Sequence, residues 1–416
     1  MKVVMRKNHA WVYFDEKSSF YNAVMALKRK QQDGTNLYDM YVNEHRDAAF
    51  AGHRGPAFFA WHRQFLKSFE DALQSVSGKE LLSLPYWDWS VAKAAPAWPF
   101  GEDFLGTNGR ASDGKVMDGM FAYDTGHWNL NVRTNLEQPY LRRQFGTNVS
   151  SLPGFSDYWT TLAQTPYDKG PFWDMRSDSG FRNMAEGWIP GAEAGMHNRV
   201  HLWVGGSMLP MSSPNDPVFW LHHCFIDKLW ADWQATHQKD VGYQPYLPTA
   251  GANSGHNLND SMAFDLPNMA GQTVTPAQVL SHRALGYRYD TEDYLLPGEE
   301  LYPGQWIWSA SKNYLIWSRE DRCGVSLNVS GGQQQPWAAP SNPPGPAGRA
   351  CRLMLKNDGN LVLYDPAKGP NDPNPPWQSG TANRPVSRLR VLDDGHIALV
   401  DSNNTPIWSR PPPPAG

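Results

Sequence analysis

The 416-residue sequence has only three cysteines, no apolar stretch near the roughly 20 residues that a membrane span needs, and no long run of either charge. Lysine and arginine number 37 against 41 acidic residues, a formal net charge of -4, so neither a nucleic acid nor an anionic membrane surface is the expected partner. A small molecule is the expectation instead. The segment Met1 to Phe14 lacks the apolar core of a secretory signal, so standard export is not expected, which leaves a cytoplasmic protein or one exported by a partner. Cys224 falls among aromatic residues in a helical pattern and reads as buried and inert. Cys323 and Cys351 flank a Pro/Gly-rich stretch and are candidates to pair, which would favour an oxidising compartment.

Aromatic residues are plentiful. With 19 Trp, 17 Tyr and 17 Phe in a chain that is 40% apolar, a packed globular protein is expected, and the length favours two domains. The first part carries helical periodicity: Phe20, Val24 and Leu27 share one face; Tyr38, Tyr41, Val42 and His45 another; Phe58, His62, Phe65, Phe69 and Leu73 a third. Asn215-Asp216-Pro217 places an N-cap acid before a proline, which predicts an amphipathic helix running to Gln234. Between Trp89 and Gly187 the periodicity fades and long ordered loops are expected. After Tyr289 the pattern changes to short alternating strands at 306–308, 314–317, 353–355, 361–364, 388–391 and 397–400. Leu355 to Asp365 (LKNDGNLVLYD) and Leu392 to Asp401 (LDDGHIALVD) echo one another, each followed by a Trp strand at Trp377 and Trp408, which predicts a pseudo-symmetric unit. The expected domains are 1–292, mainly α, and 293–410, all β, with 411–416 as a Pro-rich tail.

Six of the 13 histidines form two triplets in the helical part: His45, His53 and His62, then His197, His201 and His223. His197 and His201 are four apart, so a helix projects both imidazoles from one face. His53 and His62 are separated by Gly55-Pro56, which suits a loop ligand followed by a helix ligand. His222 points about 100° from His223 on an ideal helix, so only one of the two is expected to ligate, and periodicity with Phe219 and Asp227 favours His223. A lone histidine on an apolar face is more often a satisfied core residue; six in this pattern are not. The remaining histidines, His9 and His256 among them, read as surface, core or loop residues. Six neutral imidazoles without thiolate or carboxylate partners suit copper handling oxygen. Two sites of three ligands leave both ions unsaturated and able to bind dioxygen between them, turning it into an oxidant for an aromatic ring.

The segment His53-Arg-Gly-Pro-Ala-Phe-Phe-Ala-Trp-His62-Arg63 resembles the first copper signature of the tyrosinases. Met196-His197-Asn198-Arg199-Val200-His201 and Asn215-Asp216-Pro217-Val218-Phe219-Trp220-Leu221-His222-His223 resemble the second. The similarity extends to Arg6-Lys7-Asn8, Pro85-Tyr86-Trp87-Asp88-Trp89 and Gly286-Tyr287-Arg288-Tyr289-Asp290. This resemblance implies a four-helix bundle holding two copper ions, one on His45, His53 and His62, the other on His197, His201 and His223. Dioxygen would be the co-substrate, and monophenols would be hydroxylated to o-diphenols and these oxidised to o-quinones. It also implies a water held by Glu186 and Asn198 as the base that delivers a phenolate, Phe219 restricting His223, and a copper chaperone or caddie protein as partner. Ala51 and Gly52 precede His53, so the thioether-linked cysteine of some plant and fungal members is missing and the bacterial type is indicated. Leu202 follows His201 where some bacterial members carry a basic residue. With the Met-rich loop Ser207 to Ser213, it places Leu202, Met208, Met211 and Phe219 in the expected substrate pocket, shifted toward less acidic phenols.

The second domain resembles the bulb-type, mannose-binding lectins, a β-prism-like fold. Its best site copy is Lys356-x-Asp358-x-Asn360-x-Val362-x-Tyr364, with Lys in place of the family's Gln. A third copy keeps Asp394 but has His396 and Val400, and a first keeps only Asp321. Cys323 and Cys351 fall where that fold has its disulfide. A mannose-type glycan is thus one expected ligand of Asp358, Asn360, Val362 and Tyr364; a module that shields the copper site is the other expectation. The competing readings are a catechol or o-aminophenol oxidase without hydroxylation, a haemocyanin-like oxygen carrier, and a carbohydrate-binding protein with an ancillary helical domain.

Overall fold

The computed structural model describes residues 2–91, 98–134, 137–168, 180–187, 195–237, 255–329, 333–338 (backbone) and 349–410. They divide into two compact units, Arg6–Leu285 and Met1–Met5 with Gly286–Gly416. The change at residue 286 falls seven residues before the boundary read from the sequence. The Pro-rich tail lies outside the described residues.

The first unit contains eight helices among its described residues: α1 (Phe14–Arg29), α2 (Leu37–Asp47), α3 (Phe58–Ser77), the single turn α4 (Tyr123–Gly126), α5 (Phe155–Leu162), α6 (Phe181–Glu186), α7 (Met196–Val204) and α8 (Val218–Thr236). Their ends follow local chemistry. The Asn36 side chain accepts the Asp39 N–H at 2.8 Å and caps α2. Gly78, at φ +66°, closes α3 in the left-handed conformation that glycine adopts without strain. The Asp216 carboxylate accepts the Val218 N–H at 3.1 Å at the head of α8, where Pro217 occupies the N-cap itself, one position before the first helical position expected for it.

The predicted stripes are buried: Phe20, Val24 and Leu27 on α1; Tyr38, Tyr41, Val42 and His45 on α2; Phe58, His62, Phe65, Phe69 and Leu73 on α3. Helix α3 packs against α1 and α8, α1 against α2, and α7 against α6 and α8. Phe69 stacks on Trp220 of α8 with centroids 3.5 Å apart. Burying each such aromatic contributes about 1.5–3 kcal/mol, so the α3–α8 seam is a main source of cohesion.

Helix α8 departs from the amphipathic expectation, since nearly every residue from Val218 to Trp233 is buried. Its charged residues misled the pattern because their partners are internal. Asp227 accepts from Arg63 at 2.6 Å and from Arg6 at 3.2 Å, and Arg6 also pairs with Glu70 of α3 at 3.1 Å. Arg143 grips Asp216 through two contacts of 2.7 Å. These ion pairs are fully buried and hydrogen-bonded, the condition under which charge is tolerated inside a protein. Short antiparallel pairs, β2 (Gln31–Gln32) with β3 (Thr35–Asn36) and β4 (Met262–Ala263) with β5 (Thr273–Val274), complete the unit; β1 (Val4–Arg6) pairs with β6 (Tyr287–Tyr289), both belonging to the second unit apart from Arg6. Among the described residues no helix is long and apolar enough to cross a membrane.

The second unit is all β. Its strands are β7 (Tyr294–Leu295), β8 (Glu300–Leu301), β9 (Trp306–Trp308), β10 (Tyr314–Ser318), β11 (Val325–Val329), β12 (Gln333–Ala338), β13 (Arg352–Leu355), β14 (Leu361–Tyr364), β15 (Trp377–Gln378), β16 (Arg388–Val391), β17 (Ile397–Val400) and β18 (Pro406–Arg410). They form three four-stranded sheets in the orders β12-β11-β10-β9, β15-β14-β13-β8 and β18-β17-β16-β7. Ile307, Ile316, Leu327, Leu353, Leu363, Leu389 and Leu399 point inward from all three sheets into one core. Cys323 and Cys351 form a disulfide beside it, and Cys224, which is not disulfide-bonded, is buried in the first unit.

Candidate metal centre

Two groups of side chains have the spacing to hold a metal ion: His45, His53 and His62, and His197, His201, His222 and His223. Helix α2 supplies His45, the segment between α2 and α3 supplies His53, α3 supplies His62, α7 supplies His197 and His201, and α8 supplies His222 and His223. In the second group the Nε2 atoms of His197 and His201 lie 3.2 and 3.3 Å from Nε2 of His223. In the first, the His53 ring sits 4.9 Å from His45 and 4.8 Å from His62. The His62 and His223 rings stack at 4.5 Å, so the groups adjoin.

The proton positions favour metal binding. Nδ1 of His45 donates to the Met211 carbonyl at 2.7 Å, that of His62 to the Phe58 carbonyl at 2.8 Å, and that of His201 to the Met208 carbonyl at 2.7 Å. Nδ1 of His197 donates to Asn198 Oδ1 at 2.8 Å. A neutral imidazole with its proton fixed on Nδ1 keeps the Nε2 lone pair free for a metal. The Nε2 atoms of His45 and His62 are buried without a hydrogen-bond partner, an arrangement that is costly unless something else binds them. Burial pushes the imidazolium pKa down to about 3 for His45 and about 4 for His201, and well below the usual range for His53, His62, His197 and His223. All six are therefore neutral at pH 7, and an all-nitrogen donor set of this kind fits copper.

His222 lies closer to the second group than its helical position implies, with its ring 5.1 Å from His223. Its Nδ1 accepts the Trp89 indole N–H at 3.1 Å, which leaves its own proton on Nε2. That tautomer has no lone pair on Nε2 to offer, whereas the His223 ring is held by Phe219, stacked at 4.0 Å.

A cavity of about 570 Å³ opens beside the histidines, lined among others by His53, Arg54, Asn198, Leu202, Leu209 and Met211. Phe50 and Leu209 reach solvent at its rim, 78% and 47% exposed, so the cavity is accessible from outside. Leu202 and Met211 line it as expected. Phe219 and Met208 do not: both are fully buried, Phe219 under His223 and Met208 behind the carbonyl it offers His201. Glu186 is also buried. Its carboxylate accepts from the Arg54 N–H at 2.5 Å and from Arg182 at 2.9 Å. Burial pushes its pKa up while Arg182 and the Arg54 amide pull it down. Asn198 spends its oxygen on His197, and its Nδ2 is buried without a partner among the described residues.

Sequence reasoning missed the carbonyls of Met208 and Met211 as orienting groups, together with Phe50, Arg54, Leu209 and Pro210 at the cavity. The Met-rich loop was a signal, but it pointed to side chains where the backbone matters as much.

Two adjoining clusters of neutral histidines beside an open cavity define a class of oxidases that act on aromatic substrates. The common central domain of tyrosinase matches residues 18–236. A tyrosinase from Streptomyces glaucescens is 44% identical over 298 residues, covering 70% of this chain and 100% of its own, and one from Streptomyces antibioticus is 43% identical over 288 residues, covering 67% and 97%. Grixazone synthase from Streptomyces griseus is 36% identical over 326 residues, covering 69% and 99%. The solved structure of a polyphenol oxidase variant from Thermothelomyces thermophila shares the fold, with a TM-score of 0.55 at 24% identity over 69% of this chain and 88% of that one. The chain belongs to the tyrosinase family. It is a copper-dependent enzyme that oxidises phenols, with two copper ions as its cofactor.

Proposed function

We propose that His45, His53 and His62 hold one copper ion and His197, His201 and His223 the other, and that the enzyme both hydroxylates monophenols and oxidises o-diphenols to o-quinones. The single observation that carries the ligand set is the fixed Nδ1 proton on four of the six rings, which aims an Nε2 lone pair from each. When bound, the copper pair supplies the two-electron chemistry with dioxygen. The chain supplies the rest. Leu202, Leu209, Pro210 and Met211 seat an aromatic ring and exclude water from it. Asn198 Nδ2 and the Glu186 carboxylate are the groups suited to hold a water that takes the phenol proton. The helices α2, α3, α7 and α8 are read as the four-helix bundle of the family.

A second reading, oxidation of o-diphenols without hydroxylation, is favoured by the Glu186 contacts: both carboxylate oxygens are already engaged, by Arg54 N–H and Arg182. Following absorbance after copper loading decides between them. Coloured quinone from both tyrosol and catechol supports the first reading; product from catechol alone supports the second. A His201→Ala variant should yield neither.

For the second unit we infer a bulb-lectin-like β-prism, supported by its three four-stranded sheets around one core. Its sugar-site copy is committed internally. Asn360 donates to Gln378 and accepts from Ser379 Oγ and Thr381 N, Tyr364 bonds Glu300, and Lys356 pairs with Asp358 at 3.1 Å. These contacts favour a structural or shielding module over a glycan binder. A glycan array should show no mannose binding, and removing residues after about 295 should raise activity if the unit shields the site.

A further inference from the structure

Five of the six proposed ligands stand on helices; His53 stands on the segment between α2 and α3. A loop ligand needs its position set by something other than a helix ladder. Two close approaches fix this segment. A Cβ on Gly52 would lie 2.8 Å from the Trp61 ring, and a Cβ on Gly55 would lie 2.5 Å from the His256 ring. Neither glycine has a positive φ, so the contact itself and not the backbone conformation demands the missing side chain.

His256 is buried and arrives from a distant part of the chain. Its Nδ1 accepts the Ala57 N–H at 3.2 Å. With Nδ1 accepting, the neutral ring carries its proton on Nε2. One neutral imidazole thus packs against Gly55 and bonds the Ala57 N–H, two and four residues after His53.

We propose that His256 is a positioning residue for the first copper: it clamps the Gly55–Ala57 stretch just after His53 and so presents His53 to the metal. This rests on the assignment of His53 as a ligand. Cu(II) titration of the full-length, copper-free protein, with copper content and EPR as readouts, tests both. Wild type should take two ions and His53→Ala one; two ions in His53→Ala would remove the ligand assignment, and with it this proposal. In His256→Ala the first site should weaken by about 10–100-fold while the second keeps its affinity, and a singly loaded protein should show the EPR signal of an isolated Cu(II). His256→Asn, whose amide can accept from Ala57 N–H and donate in turn, should recover part of the loss. Gly55→Ala should reproduce the defect by displacing the ring, and the Gly55→Ala/His256→Ala double variant should be no worse than His256→Ala alone. Wild-type affinity at both sites in His256→Ala, equal weakening of both, or additive losses in the double variant would each overturn the proposal. Should His256→Ala fail to fold, unaltered two-site binding by Gly55→Ala would overturn it.

Discussion

Arg63, the residue after His62, donates to Asp227, one turn beyond His223, across 2.6 Å of fully buried contact. The pair ties a helix bearing a proposed ligand of one metal to a helix bearing a proposed ligand of the other. Arg6 adds a second tie by pairing with Glu70 on α3 and Asp227 on α8. Removing Asp227 leaves two guanidinium groups without their shared carboxylate in a dry interior. Asp227→Ala should cost about 3–5 kcal/mol of stability, read from the denaturant midpoint of the copper-free protein. A loss under 1 kcal/mol would mean that water or a neighbouring acid substitutes.

The copper assignment predicts stoichiometry. His62→Ala and His223→Ala should each retain about one copper per chain, measured by metal analysis after dialysis, and each should lose quinone formation. His222→Ala, by contrast, should retain two, because the Trp89 hydrogen bond keeps its Nε2 protonated and out of the donor set. One copper in His222→Ala would exchange the roles of the two neighbours.

Much of this centre was legible in the sequence. The four-residue step from His197 to His201 and the place of His45 and His62 on apolar stripes both record side-chain direction, which helical periodicity carries. Other parts were not. The Met211 and Met208 carbonyls that orient His45 and His201 belong to backbone that any residue supplies. His256 read only as a surface, core or loop histidine because its partners, Gly55 and Ala57, are distant in sequence. In the β unit, two-residue strands such as Tyr294–Leu295 and Glu300–Leu301 carry too little alternation to be seen; only their pairing with Leu389 and Leu353 defines them. That Asp227 meets Arg63 and Arg6 inside the protein was not legible either, because a sequence shows charges but not which charges meet.

Hydroxylation and diphenol oxidation should respond differently to Glu186→Gln. A neutral amide cannot take up a phenol proton, so turnover of tyrosol should fall by about 100-fold while catechol oxidation changes little. Equal losses on both substrates would instead assign Glu186 to holding Arg54 and Arg182 in place.

The disulfide closes a loop of sequence separation 28 in the β unit. In the chain-entropy treatment a loop of that size restrains the unfolded chain by about 3.5 kcal/mol. Cys323→Ser/Cys351→Ser should lower the melting temperature of the β unit, followed by tryptophan fluorescence. An unchanged transition would mean that the three sheets close the core unaided.

Acid should destabilise the copper-free protein well above the range where carboxylates titrate. Burial, with help from Lys17, lowers the pKa of His9 to about 4, and burial with Arg182 does the same for His256. His9 stacks on Phe104 at 5.4 Å, far from either metal group in its contacts. The unfolded chain protonates these rings near pH 6.5, before the folded chain does, so the unfolded state binds more protons between pH 6.5 and 4. Stability is therefore fully present above pH 6.5 and falls as the pH drops toward 4, by on the order of 3 kcal/mol for each ring. Denaturation midpoints from pH 7.5 to 4.5 should show that slope, to which the buried rings of the metal-site histidines add in the copper-free protein, and His9→Gln, which keeps a polar side chain without a titrating group, should lessen it by one ring's share. A midpoint independent of pH across this window would mean that the buried rings take up protons when folded as readily as when unfolded.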